Sequence, residues 1–115
     1  MKTKYGWVMI DGVRYDHDVI MHCDRTVTRR EKKISKKLKR IYGHTPLSKT
    51  ELDILASEQP AVVYIGTGQV GDLPVAPDAQ VVLKRYETIM QKTPEIMDLL
   101  AEEKRPFIAV LHVKC

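Results

Sequence analysis

The residues best suited to hold a ligand fall just after three short apolar runs of the chain. In chain order they are Gly66, Thr67, Gly68, Lys92, Thr93, His112 and Cys115. Glycines let backbone amides approach a ligand closely, and threonine, lysine and histidine side chains supply hydrogen-bond donors. Together these groups suit an anion or a polar small molecule, and they specify no particular reaction.

A second group of residues is defined by charge. Nine basic residues and one acid lie between Arg25 and Arg40, whereas the whole chain has 19 basic and 15 acidic residues and a net charge of +4. The remainder is therefore acidic, and such asymmetry indicates an acidic or polyanionic partner. The residues expected to contact a polyanion are Arg29, Arg30, Lys32, Lys33, Lys36 and Lys37. The first aromatic residue after them is Tyr42, so the pattern favours weak, non-specific nucleic-acid binding at most.

The sequence gives only weak support for three more specific sites: a dinucleotide site, a metal site and a catalytic nucleophile. Residues 66–71 match G-x-G-x-x-G, but Pro74 and Pro77 oppose the helix that a dinucleotide site needs inside this loop, so a tight turn is favoured. His112 and Cys115 are spaced like a pair of metal ligands, yet no second close pair accompanies them. The same two residues lack an evident third group that would orient a nucleophile. We therefore predict no catalytic residue, no metal and no cofactor.

The first part of the chain predicts short antiparallel strands. Asp11-Gly12 between apolar residues is a strong hairpin signal, because both turn positions require positive φ. The strands are predicted at residues 6–10, 13–15, 17–22 and 26–28. Residues 32–42 are predicted to form a loop or a short helix.

The second part alternates strands with helices. A capping box at Ser48–Glu51 predicts a helix over residues 49–58, and Thr93 followed by Pro94 predicts the N-cap of the last helix. Between and after these, the pattern predicts strands at 62–65, 88–90 and 107–111 and a helix from about residue 78. This β-α-β-α-β order favours parallel strands, whose carboxyl ends meet at one edge. The predicted fold is one α/β domain, 1–115, with a mixed sheet, a C-terminal parallel unit and an N-terminal antiparallel hairpin layer.

Five stretches make the chain resemble a known family. They are 15–20 (YDHDVI), 29–35 (RREKKIS), 65–68 (IGTG) with Gly71, 92–95 (KTPE) and 109–115 (AVLHVKC). The family is a small archaeal and bacterial domain of unknown function. It also includes the adipogenesis-associated domain protein and the mitochondrial complex I assembly factor numbered three. Two positions depart from its pattern: Lys114 stands where threonine is usual, and Ile96 where alanine is usual.

The resemblance implies a compact α/β domain without an established reaction. We therefore expect a non-enzymatic binding or assembly module. Two alternatives stay open: an enzyme or small-anion binder that uses the carboxyl edge, and a nucleic-acid-associated protein that uses residues 25–40. The sequence leaves open a protein partner, a small anionic ligand and a second copy of the chain. No membrane span or signal segment is evident, and two cysteines fit a reducing cytoplasm.

Overall fold

The structure is a computed structural model that describes residues 1–33, 35–36 and 45–114. Its strands are β1 (Lys2–Lys4), β2 (Trp7–Ile10), β3 (Val13–Tyr15), β4 (Val19–Met21), β5 (Val27–Arg29), β6 (Val62–Gly66), β7 (Thr88–Gln91) and β8 (Phe107–Leu111). Its helices are a 3₁₀ helix (Lys49–Leu52), α1 (Asp53–Glu58), α2 (Pro77–Leu83) and α3 (Thr93–Leu100). None of the described helices is long and apolar enough to cross a membrane.

The N-terminal residues form a separate antiparallel sheet. Its strand order is β1-β2-β3, and β2 and β3 are joined at Asp11 and Gly12, which have φ values of 50° and 80°. The hairpin prediction is therefore confirmed at the residues that require a left-handed backbone. The strand β1 was not predicted, because its sequence, Lys-Thr-Lys, carries no apolar signal.

The second sheet contains the parallel unit. Its order is β5-β4-β8-β6-β7, with β7 and β8 both parallel to β6 and with β4 antiparallel to β8. Every residue of β6 and β8 is buried, which explains their uninterrupted apolar sequences. The α/β prediction with a mixed sheet, a parallel unit and an N-terminal antiparallel layer is confirmed.

Alternate residues of this sheet pack on opposite faces. Phe107, Ala109 and Leu111 of β8 join the core cluster that contains β2 and α3, whereas Ile108 and Val110 join the cluster that contains α1 and α2. The first layer therefore combines the small sheet with one helix, and the second layer is helical. Both layers bury the sheet, as continuous apolar strands require.

Two helix predictions need correction. The predicted helix over 49–58 begins as a 3₁₀ turn and becomes α-helical only at Asp53. Thr93 is not the N-cap of α3: it is the first residue of the helix, Lys92 takes the cap position, and the Thr93 side chain caps nothing. The Pro94 signal was correct about where the helix begins. Most of the segment 32–42, predicted as a loop or short helix, lies outside the described residues.

Candidate functional site

The carboxyl ends of the three parallel strands bring several of the predicted ligand residues together. The backbone N–H of Gly68 donates to Thr93 Oγ1 over 3.0 Å, and Thr93 Oγ1 donates to the carbonyl oxygen of His112 over 2.6 Å. The N–H of His112 in turn donates to the carbonyl of Gly66. We call residues 66–68, 92–93 and 112–114 the carboxyl edge.

The protein's own side chains fill this edge. Thr93 is completely buried, and a Cβ added to Gly66 would lie 2.8 Å from Thr93 Oγ1, so only glycine fits there. The hydroxyl of Thr67 donates to the Gln91 carbonyl. These polar atoms of the carboxyl edge are therefore already paired within the protein, as buried polar groups usually are.

The side chain of Lys92 takes no part in these hydrogen bonds of the carboxyl edge. Lys92 is exposed, and its side chain passes near Gly71, where an added Cβ would lie 3.5 Å from Lys92 Cγ. Gly68 and Gly71 have φ values of 103° and 83°, as a tight turn requires. Cys115 lies outside the described residues.

The imidazole of His112 turns away from the edge and contacts Asp18. His112 Nδ1 lies 2.8 Å from Asp18 Oδ2, and the backbone N–H of Val113 donates to Asp18 Oδ1 over 2.9 Å. An ionised carboxylate only accepts hydrogen bonds, so Nδ1 carries the proton. His112 Nε2 is buried and has no hydrogen-bond partner among the described residues.

Arg30 joins Asp18 to a second buried acid. Its Nη1 donates to Asp18 Oδ2 over 2.9 Å, while its Nε and Nη2 donate to the two carboxylate oxygens of Glu51 over 2.6 and 3.0 Å. Arg30 is only 2% exposed. This corrects its predicted role as a surface polyanion contact: the guanidinium is committed inside the fold. We call Asp18, Arg30, Glu51 and His112 the buried charged cluster.

Glu51 anchors the cluster to the start of the first helical segment. Its Oε2 accepts from the Ser35 hydroxyl over 2.7 Å and from the Ser48 backbone N–H over 3.2 Å. The second contact is the returning half of the capping box. Glu51, which the sequence predicted only as part of a helix-start signal, therefore also pairs with the buried guanidinium of Arg30.

Electrostatics keep Asp18 and Arg30 ionised in spite of their burial. Burial would raise the pKa of Asp18, but the hydrogen bond and charge of His112, the charge of Lys32 and the Val113 N–H hold that pKa well below its usual range. Burial would likewise lower the pKa of Arg30, but Glu51 and Asp18 raise it. Four buried ionisable groups that stabilise one another mark the place where this fold concentrates charge.

A pocket of about 500 Å³ opens beside the buried charged cluster. We call it the basic pocket, and its described lining residues are His17, Asp18, Arg29, Arg30, Glu31, Lys32, Lys33 and Lys36. Lys32 Nζ lies 3.2 Å from Asp18 Oδ2. Arg29, Lys33 and Lys36 are exposed and form no ion pair with any described residue. Lys37, also predicted to contact a polyanion, lies outside the described residues.

A second histidine, His22, contacts an acid and a threonine hydroxyl. His22 Nδ1 lies 2.6 Å from Glu58 Oε2, and His22 Nε2 lies 2.7 Å from Thr28 Oγ1. Across the residues that the structure describes, no group of three or more histidine, cysteine, aspartate or glutamate side chains is arranged to hold a metal ion.

Sequence reasoning missed Asp18, Glu51 and Ser35 as members of the site. Asp18 directly precedes three buried residues, Val19–Met21, and a carboxylate at that position has to be paired when it is buried. The position of Asp18 therefore indicated that a basic side chain pairs with it near the start of β4. It could not indicate which of nine nearby bases this would be.

Comparisons with known proteins identify the fold and the family but no activity. No protein-family model matches the chain, and no curated protein sequence matches it. The structure of the conserved hypothetical protein PH1505 from Pyrococcus horikoshii OT3 is 32% identical, with a TM-score of 0.87 over 100% of this chain and 98% of that chain.

Two further solved structures are similar. The structure designated MT938 is 30% identical, with a TM-score of 0.82 over 100% of this chain and 96% of that one. XCC1710 from Xanthomonas campestris, at 16% identity and a TM-score of 0.69 over 98% and 82% of the two chains, shares the fold alone. The chain belongs to the family of the conserved hypothetical protein PH1505 of Pyrococcus horikoshii.

Proposed function

We propose that this protein is a non-enzymatic binding module that holds an anionic partner in the basic pocket. One observation carries the proposal: Arg29, Lys33 and Lys36 line a recess and form no ion pair with any described residue. Unneutralised cations that share a concave surface create a positive potential that attracts anions.

The contacts of Asp18, a buried residue that lines the pocket, also support anion binding. Asp18 is an acid, but Arg30, Lys32 and His112 all lie within 3.2 Å of its Oδ2 atom. Its negative charge is therefore already compensated, and an incoming anion meets little repulsion from it. Glu31 is the one other acid among the described lining residues.

The lining also favours binding over covalent chemistry. The described residues around the pocket offer ammonium, guanidinium and imidazole groups but no serine, threonine, cysteine or tyrosine. Ammonium and guanidinium groups position and neutralise an anion, and the described lining residues offer no hydroxyl or thiol for nucleophilic attack. The carboxyl edge is the weaker alternative, because Thr93 and its partners already fill it.

Family resemblance is consistent with a binding role. The family that the sequence resembles includes eukaryotic proteins that act in assembly or signalling contexts without a shared reaction, and we extend that family to this chain as part of the proposal. We also place the protein in the cytoplasm, where the free thiol of Cys23 would persist.

The experiment is elution from immobilised heparin along a salt gradient. The triple variant Arg29→Gln/Lys33→Gln/Lys36→Gln should elute at clearly lower salt than the unmodified protein, because fewer counterions are released on binding. The control variant, Lys84→Gln/Arg85→Gln/Lys104→Gln, removes the same charge from exposed positions elsewhere. Identical elution of the two variants would show that net charge, not the basic pocket, determines binding, and the proposal would fail.

A further inference from the structure

We infer that the basic pocket takes a compact phosphate-bearing small molecule rather than a nucleic-acid strand, and that Lys32 leaves Asp18 to bind it. The inference rests on the proposed function and specifies its ligand and the residue that contacts it. Three features of the pocket carry it: its shape, the arrangement of its polar side chains and the contacts of Lys32.

The shape of the pocket suits a compact ligand. A volume of about 500 Å³ lies within the usual range for small-molecule sites. Proteins that bind single strands along a groove add aromatic side chains on which bases stack. No phenylalanine, tyrosine or tryptophan is among the described lining residues, so the pocket offers charge without a stacking surface.

Polar side chains reach the pocket from two parts of the chain. Arg29 ends strand β5, Lys33 and Lys36 follow that strand, and His17 stands before β4. His17 Nδ1 donates to the Asp18 carbonyl over 3.0 Å, so its Nε2 can donate to an anion only when the imidazole carries a second proton. A tetrahedral phosphate accepts hydrogen bonds from several directions at once, whereas a planar carboxylate presents two oxygens. Donors arranged around a recess therefore favour a phosphate.

Lys32 is placed to exchange partners. Its side chain is 36% exposed, in contrast to the buried side chains of Arg30 and Asp18. Asp18 Oδ2 already accepts from Arg30 and His112 at 2.9 and 2.8 Å, so Lys32, at 3.2 Å, is the most distant of these three side-chain partners. Once Lys32 departs, Asp18 keeps the other two contacts and the buried charged cluster remains paired.

The experiment compares inorganic pyrophosphate, citrate and oligothymidylate by isothermal titration calorimetry at low salt. Pyrophosphate should bind one-to-one and more tightly than citrate or the oligonucleotide. Lys32→Gln should weaken pyrophosphate binding at least about tenfold, the effect of losing one charge-assisted hydrogen bond. Lys84→Gln, on the exposed residue after α2, is the matched control and should leave the affinity unchanged within about twofold.

The outcomes separate the inference from the proposed function. Absence of binding by all three probes would overturn both. Binding of oligothymidylate without pyrophosphate would keep the proposed function and overturn the ligand class, as would citrate binding as tightly as pyrophosphate. A crystal structure with pyrophosphate tests the exchange: Lys32 Nζ should contact a phosphate oxygen, and Nζ still on Asp18 Oδ2 would overturn that step.

Discussion

The carboxyl edge and the buried charged cluster are neighbours that share His112. In the first, the His112 carbonyl accepts from Thr93; in the second, its imidazole donates to Asp18. The hydrogen bonds of the edge join neutral groups: the Thr93 hydroxyl accepts from the Gly68 N–H and donates to the His112 carbonyl. In the cluster, Asp18 and Arg30 carry opposite charges, and Lys32 connects Asp18 to an open pocket.

This difference is the reason that we propose the ligand site at the basic pocket rather than at the carboxyl edge, although polar residues converge at both. A hydroxyl can satisfy one donor and one acceptor and then needs nothing more, as Thr93 does between Gly68 and His112. A carboxylate that is buried needs several donors, and it brings charged side chains with it. The cations left over at the margin of such a cluster are the ones free to meet a ligand.

The largest expected effect comes from removing the central cation of the buried charged cluster. Arg30→Met should lower the free energy of unfolding by about 3–5 kcal/mol, because Asp18 and Glu51 lose their shared guanidinium while buried. Urea denaturation measures it. The neighbouring exposed residue supplies the control: Arg29→Met should change stability by less than about 0.5 kcal/mol. Equal effects at the two positions would contradict the assignment of Arg30 to the interior.

The next effect is a dependence of the free energy of unfolding on pH, which the neutral hydrogen bonds of the carboxyl edge cannot produce. The folded-state pKa of Asp18 lies below its unfolded value, about 3.9, so its contribution to stability is present above that pH and is lost as the pH falls below it. Unfolding free energy should therefore decrease as the pH is lowered from about 4. Asp18→Asn should flatten this acid limb, whereas Asp16→Asn, at an exposed position, should retain it. A flat profile for the unmodified protein would refute the explanation.

At the carboxyl edge we expect a smaller loss of stability and no change in ligand binding. Thr93→Val should cost about 1–3 kcal/mol, because the Gly68 N–H and the His112 carbonyl lose their hydroxyl partner while remaining buried. Thr93→Ser keeps the hydroxyl and should lose less. Thermal unfolding gives the stability, and pyrophosphate titration gives the affinity. If Thr93→Val abolished anion binding while remaining folded, the edge would be the ligand site after all.

The smallest expected effect is on the anion affinity of the basic pocket, and it comes from an acidic residue in the lining. Glu31→Gln removes the acid that accompanies the exposed cations and should strengthen pyrophosphate binding by about two- to fivefold at low salt, since exposed charge pairs contribute less than about 1 kcal/mol. Calorimetric titration measures the gain, which should shrink as salt is added. Glu95→Gln, an exposed acid in the first turn of α3, should leave the affinity unchanged. Equal gains from both variants would mean that only overall charge matters.

The sequence by itself determined the order of the elements and most of their positions. Asp11-Gly12 dictated a turn with positive φ, Pro94 marked the start of α3, and the apolar runs of β6 and β8 required burial on both faces. These signals are local: each depends on the steric limits of one residue or on the periodicity of a few neighbours. The parallel arrangement followed from them, because a helix between two strands favours it.

Only the tertiary structure decided which polar residues came together. Asp18 and His112 are 94 positions apart, and Arg30 is one base among nine in a segment whose pattern treats them alike. Burial of Arg30 depends on Glu51 arriving from another element at 2.6 Å, a distance that no local spacing encodes. The same holds for Thr93, whose sequence signal as a cap was overridden by two partners from other loops. Pairing energies between distant side chains exist only once the chain has folded, and for this reason the sequence indicated the fold more fully than the site.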